Sequence, residues 1–279
     1  MNKKFKLKSM NVILILCVIT FLSIIPFFWM ISTSLKSQEA LMAIPIEWIP
    51  KNVSFDAFIK VLTKLPFLRS TFNSLLITLS STILTLLSAS FAAFIFAKFE
   101  FRFKNVLFVL FLMSMMIPLQ VTGIPIFIIL TKLGLNNSYL GVILPSVYNV
   151  FAIFLLRQFM RKISNELIEA AYMDGASLIH VFFKIIIPIS IVPLTTLFVI
   201  NFMHYWNDYF WPLIILTDPD KVTLPVLLSK LNAQYGTEYN TLMAGSLVSM
   251  GPILLVYAFA QKYFIRGVQE GGVKWDIQG

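Results

Sequence analysis

The chain has 279 residues, of which 58% are hydrophobic and 13% charged, and this is more apolar surface than one water-soluble core of that length can hide. With lipid as the solvent, the net charge of +9 reads as the basic flanks of a positive-inside membrane protein, which gives nucleic-acid binding little weight. The single cysteine, Cys17, excludes a disulfide framework, and two His with one Cys, widely scattered, do not suggest a metal site.

In chain order, long apolar stretches cover residues 11–33, 72–97, 105–131, 139–156, 185–206 and 243–261. Each is near the ~20 residues that a helix needs to cross ~30 Å of hydrocarbon, and none alternates as a membrane β-strand does. The first follows Lys3, Lys4, Lys6 and Lys8 like an export signal, but its apolar run is too long and no small-residue cleavage site follows. Residues 36–69 form a long outer segment with a short helix expected at 55–62. Pro118, Pro125, Pro145, Pro188, Pro193 and Pro252 interrupt spans, and kinks near Pro118 and Gln120 are placed to line a pathway. The short basic flanks Lys98, Arg102 and Lys104, Arg157, Arg161, Lys162 and Lys184, and Lys262, Arg266 and Lys274 fall on the same side as the N-terminus. Both termini are therefore expected in the cytoplasm, with six helices crossing the membrane.

Carriers driven by ion gradients keep acids or bases at mid-membrane, and here the spans hold none except His204, for which a structural hydrogen bond to another helix is the simpler expectation. A phosphate-binding G-x-x-x-x-G-K-[ST] loop is absent as well. The chain then either conducts passively or is driven by nucleotide hydrolysis on another subunit, which needs a cytoplasmic docking surface. Residues 157–184 are the one internal cytoplasmic segment long enough. Ser164 is placed to cap a helix over 165–174, Glu166 lies in its first turn, and Gly175 stands where a left-handed cap is easiest. Helical spacing puts Glu166, Glu169, Ala170 and Met173 on one side and Leu167, Ile168, Ala171 and Tyr172 on the other. The apolar run 177–183, with His180 inside it, suits a hydrophobic groove. The plain alternative is an amphipathic connector lying on the membrane.

The string EAAYMDGAS, 169–177, followed by an apolar stretch and Pro188, resembles the EAA loop of importer-type ABC permeases. The segments 115–145, FLLRQFM at 154–160, WNDYFWPLIIL at 206–216, TLPV at 223–226, 234–246 and QKYFIRG at 261–267 look like the smaller permease of maltose-type carbohydrate importers, so the resemblance covers nearly the whole chain. Ser164 and Ile187 depart from the family's usual Pro and Leu, and both substitutes serve the same local purpose.

The resemblance implies an all-α type I importer permease with residues 1–10 a cytoplasmic tail, 11–71 the first span and long outer loop, 72–265 the permease core, and 266–279 a second tail. It implies partners: a second permease in a heterodimer, two ATP-binding subunits, an extracytoplasmic solute-binding protein and membrane lipid. No cofactor or catalytic site is expected on this chain, ATP and Mg belonging to the partner ATPase. Glu166, Glu169, Ala170, Ala171, Asp174, Gly175 and Ala176 would form the coupling element held in an ATPase cleft. The cargo implied is a di- or oligosaccharide, with another solute such as glycerol phosphate as the alternative. Residues 204–211 read first as an interfacial aromatic belt, and Gln120, Trp206, Asn207 and Asp208 as a possible substrate path. The loop 207–242 would meet the binding protein or be an ordinary surface loop.

Overall fold

The structure is a computed structural model, and it describes residues 3–41, 44–234 and 238–272. Helices account for its regular structure, with no strand among the described residues, as befits backbone groups that must satisfy themselves in lipid. The elements used below are α1 (Lys3–Ser34), α2 (Asp56–Thr63), α3 (Phe67–Lys98), α4 (Lys104–Ser114), α5 (Leu119–Lys132), α6 (Tyr139–Ile143), α7 (Val150–Met160), α8 (Asn165–Met173), α9 (Leu178–Val181), α10 (Ile191–Trp206), α11 (Phe210–Ile215), α12 (Leu224–Gln234), α13 (Tyr239–Ser249) and α14 (Gly251–Gly272).

Four helical stretches are long and apolar enough to cross a bilayer: Val12–Ser34, Phe67–Lys98, Tyr139–Met160 and Tyr239–Gln261. The span expected at 185–206 is a bent pair instead, Leu178–Ile189 and Ile191–Trp206, meeting at 79°. The bend falls at Ser190, between Pro188 and Pro193, neither of which can donate a backbone hydrogen bond. Ahead of Pro188 the helix widens into a π-turn over Phe182–Ile186, relieving the clash that its ring would make with the Lys184 carbonyl.

The stretch 105–131 is not one helix either. It divides into α4 and α5, of 11 and 14 residues, each short of the ~20 needed to cross alone. Ile117 precedes Pro118 and is pushed out of helical backbone, while Pro118 itself is extended at ψ 141° and opens α5. The described residues thus hold four stretches long and apolar enough to cross and a fifth that is bent, not six unbroken helices.

The chain forms two compact units, Met1–Leu68 with Leu227–Gly251, and Arg69–Val226 with Pro252–Gly279. In the first, α1 runs beside α13. Trp29 meets Trp48 edge-on at 5.2 Å, Lys36 lies 4.5 Å over the Trp29 ring, and the Asn240 amide donates to the Lys36 carbonyl at 3.1 Å. The expected short outer helix is α2, and its Lys60 pairs with Glu238.

In the second unit the core is a cluster of large apolar side chains that includes Phe94, Phe96, Phe108, Leu156, Met160, Phe182 and Leu197. Phe182 packs 5.3 Å from Phe91 and 5.6 Å from Phe94, so the start of the bent span is fixed against α3. A separate cluster of Ile77, Leu130, Ile143, Trp211 and Ile215 joins α3, α5, α6 and α11.

Candidate functional site

The segment between the fourth and fifth expected spans folds as a helical hairpin. Ser164 caps α8, its Oγ accepting the Glu166 amide at 3.1 Å, and Glu166 occupies the first turn, where the helix dipole favours a negative charge. Asp174 is the C-cap, and Gly175 follows at φ +80°. The Gly175 amide donates to the Tyr172 carbonyl at 3.0 Å and the Ala176 amide to the Ala171 carbonyl at 2.9 Å. That double closure requires a left-handed residue between helix and exit, which glycine adopts without a Cβ penalty. Ser177 then caps α9, accepting the His180 amide at 3.3 Å.

The hairpin packs along a narrower edge than the helical wheel suggests. Ile163, Ile168, Val181 and Phe182 are buried, with Ala171, Ala176 and Leu178 against them. Ile168 and Ala171 lie about 60° apart around the nine-residue α8, and Leu167 and Tyr172 flank them by about 40° on either side. Both flanking residues stay exposed, contrary to the sequence expectation. They join Glu166, Glu169, Ala170, Met173 (88% exposed) and Ile179 (63% exposed) on one uncovered surface that mixes acidic and apolar groups.

Two cations that the sequence reading used only for orientation tie this hairpin and the helix before it to the end of α3. Lys98 donates from Nζ to the Ile163 carbonyl and, at 2.9 Å, to the Asn165 Oδ1. Arg157, on α7, donates from Nε to the Phe96 carbonyl at 3.1 Å with its guanidinium 3.8 Å from the Phe108 ring centroid. The last carbonyls of a helix lack internal partners and carry the negative end of its dipole, so a cation there is favoured. The other end of α3 is held as firmly. Asn73 donates to the carbonyls of Asp220 and Val222 at 3.0 Å each, Ser74 Oγ accepts the Leu224 amide at 2.8 Å, and Arg69 pairs with Asp220 at 2.6 Å.

A cavity of about 550 Å³ opens within the second unit, inside the ~300–1,000 Å³ range of ligand sites. Ser81, Ser114, Thr122, Ser146, Tyr148, Asn149, His204, Tyr205, Asp208 and Trp211 line it together with apolar residues. Its polar wall is ordered by hydrogen bonds: Tyr205 to Thr85 at 2.9 Å, Tyr148 to Ser114 at 2.8 Å, and Asn149 to Asn201 at 3.0 Å. Asn149 also caps α7 by accepting the Ala152 amide at 3.0 Å, and Asp208 caps α11 through the Phe210 and Trp211 amides at 3.0 and 3.4 Å.

Of the path residues named from sequence, Asp208 is a cavity residue. Asn207 is exposed and donates to the Met203 carbonyl at 2.8 Å, outside the cavity lining. Trp206 is 3% exposed and stacked 6.0 Å from Phe202, so it belongs to the packing, and Trp211 at 8% exposure is no surface belt residue either. Gln120 stands in the first turn of α5, and its side chain lies outside the described residues. His204 makes no hydrogen bond to another helix among the described residues. Its imidazole is exposed on the cavity wall, 5.1 Å from the Tyr205 ring. Reading by spans missed Ser81, Ser114, Tyr148 and Asn149; the available signal was that each is a polar side chain in or beside a stretch of apolar ones. The segment expected as a loop over 207–242 carries α11, α12 and the start of α13, while Gly236 lies outside the described residues.

Fold and site together define a multi-pass helical membrane protein with a capped, solvent-exposed hairpin and a polar cavity among its helices. The chain belongs to the binding-protein-dependent transport system inner membrane component family, whose model matches residues 85–270. It is 33% identical over 276 residues to the arabinooligosaccharides transport system permease protein of Bacillus subtilis (strain 168), covering 98% of both chains. It is 32% identical over 260 residues to the lactose transport system permease protein of Rhizobium radiobacter, covering 93% of this chain and 94% of that one. Its fold matches the crystal structure of a bacterial ABC transporter involved in the import of the acidic polysaccharide alginate, with a TM-score of 0.86 at 24% identity over 95% of this chain and 99% of that one.

Proposed function

We propose that this chain is the membrane-spanning permease subunit of an ATP-binding-cassette importer for a sugar, most simply a di- or oligosaccharide. The observation that carries the reading is the near full-length similarity to permeases named for arabinooligosaccharides and lactose. The chemistry of the chain agrees, since a helix hairpin with an uncovered acidic and apolar surface suits a separate motor better than a lipid face.

On this reading both termini and the hairpin are cytoplasmic, and α4 and α5 together supply the sixth crossing. Residues 72–265 form the permease core. The hairpin seats in one of two ATPase subunits through Glu166, Glu169, Ala170, Asp174 and Gly175, with Ala171 and Ala176 packed beneath that surface; the ATPase subunits hold the ATP and Mg, and no catalysis belongs to this chain. A second permease completes the pathway, and an extracytoplasmic binding protein delivers the cargo near the elements at 207–242. Closure of the motor pulls the hairpin, and α3 follows through Lys98 and Arg157.

The test is reconstitution of the two permeases, the ATPase and the loaded binding protein in proteoliposomes. ATP-dependent oligosaccharide uptake that disappears when the ATPase subunit is left out is the expected result. Accumulation by this chain alone, without nucleotide, would make it a carrier or pore and end the proposal.

A further inference from the structure

The cavity carries more than a pathway. Among the described residues lining it, Asp208 is the one with a formal charge, His204 being counted neutral, and there is no Lys or Arg. The chain as a whole has 22 Lys and Arg against 13 Asp and Glu, so their absence from this wall is not a matter of scarcity. The Oδ1 of Asp208 accepts the Phe210 and Trp211 amides, while its Oδ2 takes no hydrogen bond among the described residues. A carboxylate in a space partly walled by apolar side chains acts over a longer range than it does in water. The remaining polar wall consists of hydroxyls, an amide and an imidazole beside the aromatic faces of Tyr148 and Trp211.

We infer that this cavity is the cargo-contacting surface of the chain and that it admits uncharged glycosides while repelling carboxylated or phosphorylated ones. Hydroxyl and amide groups beside aromatic faces match a neutral polyol, and no described cation is present to compensate an anion. The alginate importer with the same fold moves an acidic polysaccharide, so the fold leaves this choice open and the cavity wall makes it. The inference rests on the importer reading, and it assigns a charge class to the cargo that the fold alone does not.

Because Cys17 is the only cysteine of this chain, Cys17→Ser combined with cysteine-free partner subunits gives a thiol-free background in which Ser114→Cys places one reporter on the cavity wall. The assembled transporter in lipid nanodiscs is treated with cationic and anionic methanethiosulfonates of equal length. The rate ratio, divided by that for a free thiol, cancels any change in the ionisation of the cysteine itself. The cationic reagent is expected to be favoured roughly tenfold or more, Asp208→Asn, which keeps the Oδ1 acceptor, to bring the ratio towards that of the free thiol, and a saturating neutral oligosaccharide to slow both reagents. A ratio at or below the free-thiol value, a ratio unmoved by Asp208→Asn, no protection by cargo, or no labelling at all would each overturn the inference. ATP-driven uptake by the Cys17→Ser parent is measured in parallel, so a transporter that imports nothing counts against the importer reading and not against the charge of the cavity.

Discussion

Gly141 shows how closely one stretch of backbone approaches another in this chain. A Cβ built there would lie 2.3 Å from the Leu135 carbonyl oxygen and 3.0 Å from the Ile215 side chain, and backbone cannot retreat as a flexible side chain can. Gly141→Ala is expected to cost about 2 kcal/mol, seen as a lower thermal midpoint in detergent. Gly251→Ala, whose Cβ meets nothing within 4 Å, should stay within about 0.5 kcal/mol of the parent; equal shifts for the two would show that close approach is not the cause. The Glu238 carboxyl behaves differently, because its partner is a charge. The Lys60 ammonium hydrogen-bonded to it, helped by the Thr241 hydroxyl and the charge on Lys64, holds it below the usual carboxylate range. A depressed carboxylate stabilises the fold above its unfolded value of about 4.3 and loses that contribution as pH falls through the lower folded value. Acid unfolding monitored downward from about pH 5 should therefore show an early loss in the parent, and Lys60→Met should flatten that limb while lowering stability at neutral pH.

At the scale of elements, the hairpin was the most legible part of the sequence, because its signals are local. Ser164, Glu166 and Gly175 each act within four residues of themselves, and the structure shows each in the expected place. The spans were legible in number of apolar stretches but not in continuity. Pro188 and Pro193 announce a perturbation without saying that it becomes a 79° bend, which depends on what Phe182 packs against. The cavity was hardly legible, since Ser81, Asn149 and His204 converge from different parts of the chain and the many Ser and Thr residues of the same stretches do not by themselves say which of them face one common space. Lys98 belongs to the same category, being conspicuous as a flanking charge but informative only through the Ile163 carbonyl and Asn165 that it holds. Lys98→Met should release the start of α8 while the apolar packing of Ile168 and Phe182 keeps the hairpin folded. Hydrogen exchange over 165–181 is expected to rise by roughly tenfold, with Lys98→Arg restoring protection; unchanged exchange would reduce Lys98 to a surface charge.

Over the whole second unit, α3 is the element through which these parts can move together. Its 32 residues extend about 48 Å, reaching from the bonds of Asn73 to Asp220 and Val222 to those of Lys98 at the hairpin. Between them, Thr85 and Ser88 donate to the carbonyls of Ser146 and Val147 at 2.7 and 2.6 Å, beside the cavity wall. A rod bonded at both ends and along its middle cannot shift at the hairpin without altering the other two regions, because packed interiors move between discrete arrangements and do not stretch. A lesion at the exposed hairpin surface should accordingly spare the fold and abolish transport. Glu169 is the sharpest probe, being exposed and outside the apolar core. Glu169→Lys is expected to leave thermal stability within about 0.5 kcal/mol of the parent and to cut ATP-driven uptake at least tenfold, with Glu169→Gln between the two, as loss and then reversal of one interfacial charge demands. Normal uptake by a Glu169→Lys transporter that still retains its ATPase would mean that force enters the membrane helices somewhere other than this hairpin.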